Sequence, residues 1–165
     1  MLTQYFIAKL ILFLVFAVPA SVYDWRCFRV PLWYICAGIC ALIAFHLLFP
    51  LYAGNRFAFG TIKNPLIAVV AALVLYVAAR VLTGGALGWG DVIYSVLPAL
   101  YTGYPLVFFA TAFSALCGML FYLALAVRDS RRKKQPFVFR PVFAIPYVPF
   151  ITAGAVLADV LFRIF

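Results

Sequence analysis

Residues 5–23 read YFIAKLILFLVFAVPASVY, and Lys9 is the one charged residue among these 19 positions. A helix rises about 1.5 Å per residue, so the run reaches close to the roughly 30 Å of a bilayer's hydrocarbon core. Val18-Pro19-Ala20 bears a loose likeness to a signal-peptide cleavage site. A signal peptide, however, carries its basic charge before the apolar run, and Lys9 lies inside it. The stretch is therefore expected to be a retained membrane helix.

The rest of the chain agrees. Of 165 residues, 68% are hydrophobic and 10% charged, and mean hydropathy is +1.15. A soluble domain of this size needs far more charge to cover its surface, whereas lipid solvates an apolar exterior directly. The expected fold class is all-α: a polytopic integral membrane bundle of about six transmembrane helices, forming one domain over residues 1–165 with no room for a second soluble one.

Further segments follow at Pro31–Phe49, Pro65–Leu82, Asp91–Tyr101, Pro105–Val127 and from Val142 to the C-terminus. Asp24–Val30 reads as a short polar loop. Pro31 opens the second segment, because a proline at a helix start lacks an N–H that would be unpaired anyway. Pro50–Asn64 reads as a loop, from Gly54, Asn55, Arg56, Gly60 and Lys63. The fourth segment is too short to span unless it begins near Ala86; otherwise it is re-entrant. The last is expected to be broken by Pro146 and Pro149. Trp25, Trp33, Tyr34, Tyr101 and Tyr104 fit interfacial aromatic belts.

The net charge of +9 does not point to nucleic acid, because the basic residues cluster in loops between apolar runs. Placing the Asp24–Val30 loop in the cytoplasm puts Arg26, Arg29, Arg80 and the basic loop Arg128–Arg140 on that side. Only Arg56, Lys63 and Arg163 then lie opposite, with Lys9 nearby. The positive-inside rule selects this orientation, with both termini outside and the fourth segment crossing. The run Arg131, Arg132, Lys133, Lys134 reads as an anchor to anionic lipid headgroups. Cys27, Cys36, Cys40 and Cys117 form no C-x-x-C pair. Cys36 and Cys40 share a helix face and read as small packing residues. No metal site and no cofactor is expected.

Acid is scarce: there is no glutamate, and the aspartates are Asp24, Asp91, Asp129 and Asp159. Asp129 sits among Arg128, Arg131 and Arg132 as a loop ion-pair partner. Asp159 precedes Arg163 by four residues, the spacing of a surface pair on one helix face. Asp24 and Asp91 instead fall at the cytoplasmic ends of two apolar segments, at matched depth, where ionisable groups are costly and are functional candidates. Two unrelated helix-end acids at a wet interface is the plainer alternative. Gly88-Trp89-Gly90-Asp91 tips the balance, since two positions without a Cβ permit a sharp turn, or close approach by a neighbouring helix or an extended substrate.

Two carboxylates sharing one water and one proton give aspartic-protease chemistry: the ionised member takes a proton from water while the protonated member donates to the carbonyl oxygen. Other catalysts fail on inventory. The single histidine, His46, lies in the far half of the second segment and reads as packed or interfacial. No G-x-S-x-G or H-E-x-x-H motif is present.

Three blocks resemble the type IV prepilin leader peptidases, within the wider G-x-G-D group of membrane aspartic proteases. They are Asp24-Trp25-Arg26-Cys27-Phe28-Arg29-Val30-Pro31; Gly88-Trp89-Gly90-Asp91-Val92; and Ile145-Pro146-Tyr147-Val148-Pro149-Phe150, with Gly154 after it. The resemblance implies that Asp24 and Asp91 are the catalytic pair. Gly88, Gly90, Arg26, Pro31, Pro146 and Pro149 belong to the supporting motifs. It implies prepilin-like protein substrates, with a short basic leader ending in Gly and a hydrophobic helix after it, cleaved at the cytoplasmic face of a bacterial or archaeal cell membrane. Longer members carry an N-terminal cytoplasmic region linked to methylation; this chain is expected to be the short form. Partners are such substrates and membrane lipids, with no nucleic acid. Two positions depart from the pattern: Ile93 where the family has Lys, and Leu32 where it often has Asn. Ile93 keeps open an inactive member serving as an assembly scaffold. A small transporter is a third reading, disfavoured by the lack of mid-membrane polar groups and of repeated halves.

Overall fold

A computed structural model of the chain describes residues 2–52, 58–85, 87–133 and 146–164. These form seven helices: α1 Leu2–Cys27, α2 Leu32–Tyr52, α3 Ala58–Leu82, α4 Trp89–Tyr94, α5 Val96–Thr102, α6 Leu106–Lys133 and α7 Val148–Ile164. No strand occurs among the described residues. Four helices, α1, α2, α3 and α6, are long and apolar enough to cross a membrane. Their outward faces carry large aliphatic residues, such as Ile7, Ile11, Val15 and Val22 on α1 and Val70, Val74 and Val81 on α3. Such area is a liability in water and a match for lipid. The protein is an all-α, polytopic membrane bundle.

The short fourth segment is a pair of helices, α4 and α5, joined at Ser95. It runs from one end of the bundle to the other. Asp91 lies within electrostatic reach of Asp24 near the end of α1. Tyr94 meets Thr152, which also meets Ser21 of α1. Tyr101 stacks on Phe13, with ring centroids 4.3 Å apart. The Leu100 carbonyl oxygen lies 2.9 Å from His46 Nε2. Asp24 and Lys9 are fifteen residues apart on α1, about 22 Å of helix, and α4–α5 covers that distance antiparallel to α1. The segment is therefore not re-entrant. Residues Leu97 to Thr102 are all buried, so this segment is the core around which the longer helices pack.

Several element ends differ from the sequence expectation. Asp24 is not in a loop: α1 continues to Cys27, with Arg26 in its last turn, where a cation suits the carbonyl end of a helix. Phe28 then closes it at φ 53°, its N–H donating to the Asp24 carbonyl at 2.8 Å. The helix α3 begins at Ala58 and contains Pro65, so Lys63 and Asn64 are helical rather than loop. A proline there removes one backbone hydrogen bond and does not end the helix. Asn64 has a use in that place: its Oδ1 accepts the Tyr104 N–H beside Gly103, whose φ of 75° turns the chain from α5 into α6. The helix α6 runs on to Lys133, through the start of the basic loop; residues 134–145 lie outside the described residues. Pro146 and Pro149 do not break α7. Pro146 precedes it and Pro149 sits in its first turn, where N–H groups lack intrahelical acceptors.

The end of the bundle remote from Asp24 is tied by polar groups inside the core. His46 is buried, with Tyr5 Oη 2.9 Å from its Nδ1. Tyr101 Oη donates to Asp159 Oδ2 at 2.6 Å. The Lys9 ammonium lies over the rings of Tyr5, Phe6 and Tyr101 at 5.3–5.6 Å. His46 is thus packed, as expected. Asp159 is not the surface acid that its spacing to Arg163 suggested: it is buried and turned to Tyr101, while the side chain of Arg163 lies outside the described residues. Tyr101 is core, not an interfacial belt residue, whereas Trp25, Trp33 and Tyr104 are exposed. Cys36 and Cys40 face outward instead of packing within the chain. Among the described residues no group of His, Cys, Asp or Glu could hold a metal ion.

Candidate active site

Two of the four aspartates converge. Asp91 on α4 lies within electrostatic reach of Asp24 on α1. Asp24 is buried, while Asp91 is partly exposed. Asp91 is therefore the member of the pair more open to an approaching chain.

Each carboxylate caps the start of a helix. Val148 opens α7, so its N–H has no intrahelical acceptor, and Pro149 after it has no N–H to place. The Phe150 and Ile151 N–H groups are satisfied by the Tyr147 carbonyl at 3.0 and 3.1 Å. Asp24 Oδ2 accepts the Val148 N–H at 3.1 Å, across 124 residues of sequence. Asp91 Oδ2 accepts the Gly88 N–H at 3.1 Å, at the head of its own helix α4. An N–H donated to an ionised oxygen is worth more than a neutral hydrogen bond, and it fixes one oxygen of each carboxylate. The second oxygen of each has no hydrogen-bond partner among the described residues.

The glycines of the G-x-G-D block have separate duties. Gly88, extended at φ −68° and ψ 149°, has its Cα side turned to Asp91: a Cβ there would meet Asp91 Oδ2 at 3.2 Å. Gly90 faces open space, with nothing within 4 Å of where a Cβ would stand. Among the described residues, no neighbouring helix fills that gap.

Below the carboxylates lies a polar layer that the sequence reading missed. Thr152 Oγ1 donates to the Val148 carbonyl at 3.0 Å and meets the hydroxyls of Tyr94 at 2.7 Å and Ser21 at 2.9 Å. Three segments are thereby joined one turn away from the aspartates. Tyr147 lies within electrostatic reach of Asp91 and stands edge-on to Tyr76. The available sign was a hydroxyl in an otherwise apolar run, at Ser21, Tyr94 and Thr152. Their convergence is a tertiary fact with no local pattern.

The supporting residues divide. Gly88 contacts the site directly. Pro146 and Pro149 bracket the Val148 N–H that holds Asp24. Pro31 caps α2, its carbonyl accepting the Tyr34 and Ile35 N–H groups at 3.1 and 3.3 Å, seven residues along the chain from Asp24. Arg26 is exposed and shows no contact with either aspartate among the described residues. Ile93 is partly buried against the core.

A cavity of about 360 Å³ lies elsewhere, lined by Lys9, His46, Tyr101 and Asp159 at the opposite end of the bundle. Volume alone would place a ligand there. The candidate carboxylates Asp24 and Asp91 and the open Gly90 lie at the other end of the bundle from that cavity.

No curated protein and no solved structure matches the chain. The model of the type IV leader peptidase family matches residues 11–123, a span that holds Asp24 and Asp91 and ends before Pro146. That match covers well over half of the 165 residues, and the chain belongs to the type IV leader peptidase family.

Proposed function

We propose that the protein is an intramembrane aspartic endopeptidase that uses Asp24 and Asp91 to cut the short basic leader from prepilin-like precursors at the cytoplasmic face of the cell membrane. The observation that carries this reading is the meeting of two otherwise remote carboxylates at one end of the bundle, each with one oxygen held by a backbone N–H. All 165 residues serve as one peptidase domain.

The chemistry follows from the pair. With one member ionised and the other protonated, the ionised carboxylate removes a proton from a bound water. The water oxygen attacks the scissile carbonyl carbon, and the protonated member donates to the carbonyl oxygen. Collapse of the tetrahedral intermediate breaks the C–N bond as the new amine takes the proton that came from water, and a hydroxyl of the intermediate returns a proton to the other carboxylate. Water and one peptide bond are consumed, and the dyad ends with one proton, as it began. The held oxygens keep the reacting ones in place, which reduces the reorganisation needed at the transition state. An extended substrate strand has room at Gly90.

The positive-inside distribution supports the cytoplasmic placement. A scaffold role, suggested by Ile93, is the second reading, and it shares the fold but not the reaction. Co-expression with candidate leader-bearing precursors separates the two: the peptidase shortens the precursor by its leader, visible as a size shift, and the scaffold leaves its length unchanged.

A further inference from the structure

We infer that Arg80 is a positioning residue for Asp91, acting through the single peptide group that links Leu87 to Gly88. The inference rests on the aspartic-peptidase reading and adds a residue to it.

Arg80 lies in the last turn of α3. Beyond it the chain turns at Gly84 and Gly85, with φ of 61° and 88°. The Gly85 N–H bonds to the Arg80 carbonyl at 2.9 Å and the Gly84 N–H to the Val81 carbonyl at 3.1 Å, the pattern of a Schellman close. That turn sends the chain back past the arginine side chain. Arg80 Nη1 donates to the Leu87 carbonyl and, at 3.4 Å, to the Gly85 carbonyl. The guanidinium carbon sits 4.7 Å from the centre of the Trp89 ring, within the range of a cation–π contact. One side chain thus holds three points of the segment that leads into Asp91.

The Leu87 carbonyl and the Gly88 N–H belong to one planar peptide unit. Fixing the carbonyl fixes the direction of the N–H, which points at Asp91 Oδ2 at 3.1 Å. A cation on the carbonyl also polarises the same unit, strengthening its N–H as a donor. Glycine at 84, 85 and 88 makes this necessary. A backbone with that much freedom does not keep one N–H aimed unless something outside it holds it. Nothing in the reaction requires Arg80 to touch substrate.

Two measurements test this on the full-length protein in detergent micelles. The first is leader-cleavage kinetics of Arg80→Met, Arg80→Lys and Trp89→Leu beside Asp91→Asn. Arg80→Met is expected to lower kcat by about tenfold or more with KM within about twofold, as misaimed catalytic groups do. Arg80→Lys, which keeps a cation and donors, restores part of that loss. Trp89→Leu, which removes the ring but keeps the hydrogen bonds, gives a smaller loss of kcat and serves if Arg80→Met does not fold. The second is the amide spectrum of protein labelled with ¹⁵N at its ten glycines. The Gly88 resonance should move in Arg80→Met in the direction it moves in Asp91→Asn. A folded Arg80→Met with normal kcat, a change in KM alone, or an unmoved Gly88 amide overturns the inference. If Asp91→Asn is dead while Arg80→Met cleaves normally, only the role of Arg80 is lost. If Asp91→Asn cleaves normally, the aspartate reading falls and the role of Arg80 with it.

Discussion

Replacing Gly154 by alanine adds one methyl group at the most crowded glycine among the described residues. A Cβ on Gly154 would lie 2.3 Å from Ser114 Oγ, 2.5 Å from the Ala110 carbonyl oxygen and 2.8 Å from the Ser114 backbone nitrogen. The serine hydroxyl can rotate away, but the two backbone atoms of α6 cannot. The carbonyl contact is about 0.9 Å short of the 3.4 Å at which ordinary packing begins, so α7 must withdraw from α6 by nearly an ångström. Forcing a methyl into a filled interface typically costs about 1–3 kcal/mol, and membrane helices depend on such small-residue approaches for their association. The shift also reaches the site. Gly154 is two residues from Thr152 and six from Val148, whose N–H holds Asp24 at 3.1 Å; withdrawal by this distance breaks a hydrogen bond of that length. A misplacement of about 1 Å can cost about 10²-fold in rate. The assay is thermal unfolding in detergent alongside leader cleavage by the same preparation, with Gly90→Ala as comparison. The Gly90 position is open, so Gly90→Ala should unfold like wild type. A Gly154→Ala protein that unfolds at the wild-type temperature and cleaves at the wild-type rate would refute the packing argument and the coupling of α7 to Asp24.

Ile93→Lys should preserve or raise cleavage, because a lysine can lie along the core with its stem and carry its ammonium to the headgroups; total loss would show that the site has been rebuilt around an apolar residue here. Tyr101→Phe should leave Asp159 buried without its hydroxyl donor and lower stability by about 1–3 kcal/mol while sparing cleavage, since the cluster lies at the other end of the bundle. Unchanged unfolding would mean that Tyr101 contributes nothing to holding that acid. A reporter at Ser130 should read cytoplasm and one at Gly60 the outer side; both on one side would contradict the orientation proposed from the charges.

The fold was legible where the physics is local. Apolar runs of spanning length and the uneven placement of Arg and Lys are properties of a segment, and they located the long helices. What lay beyond them was tertiary. Asp24 read as a loop residue because polar neighbours follow it, yet those neighbours extend the helix and place its carboxylate against α7. Asp159 had the spacing to Arg163 of a surface pair, but spacing does not say which way a helix faces: the acid is buried and accepts a hydrogen bond from Tyr101 of another segment. Asp24 and Asp91 could be singled out as a candidate pair because acid is scarce in this chain and membrane depth can be counted along it. Thr152 and Arg80 were not singled out as site residues because their partners are backbone groups and hydroxyls, which are too common to mark a position.

The measurement that bears most directly on the central claim is leader cleavage by Asp24→Asn, Asp91→Asn and the double variant. Asn keeps the shape and a hydrogen-bond acceptor for the Val148 and Gly88 N–H groups while removing titration, so all three should insert and fold. Water activation and carbonyl protonation belong to one transition state. Each single variant should therefore lose nearly all cleavage, and the double should lose little more. Asp129→Asn and Asp159→Asn should remain active. Cleavage near the wild-type rate by either Asp24→Asn or Asp91→Asn would contradict the account.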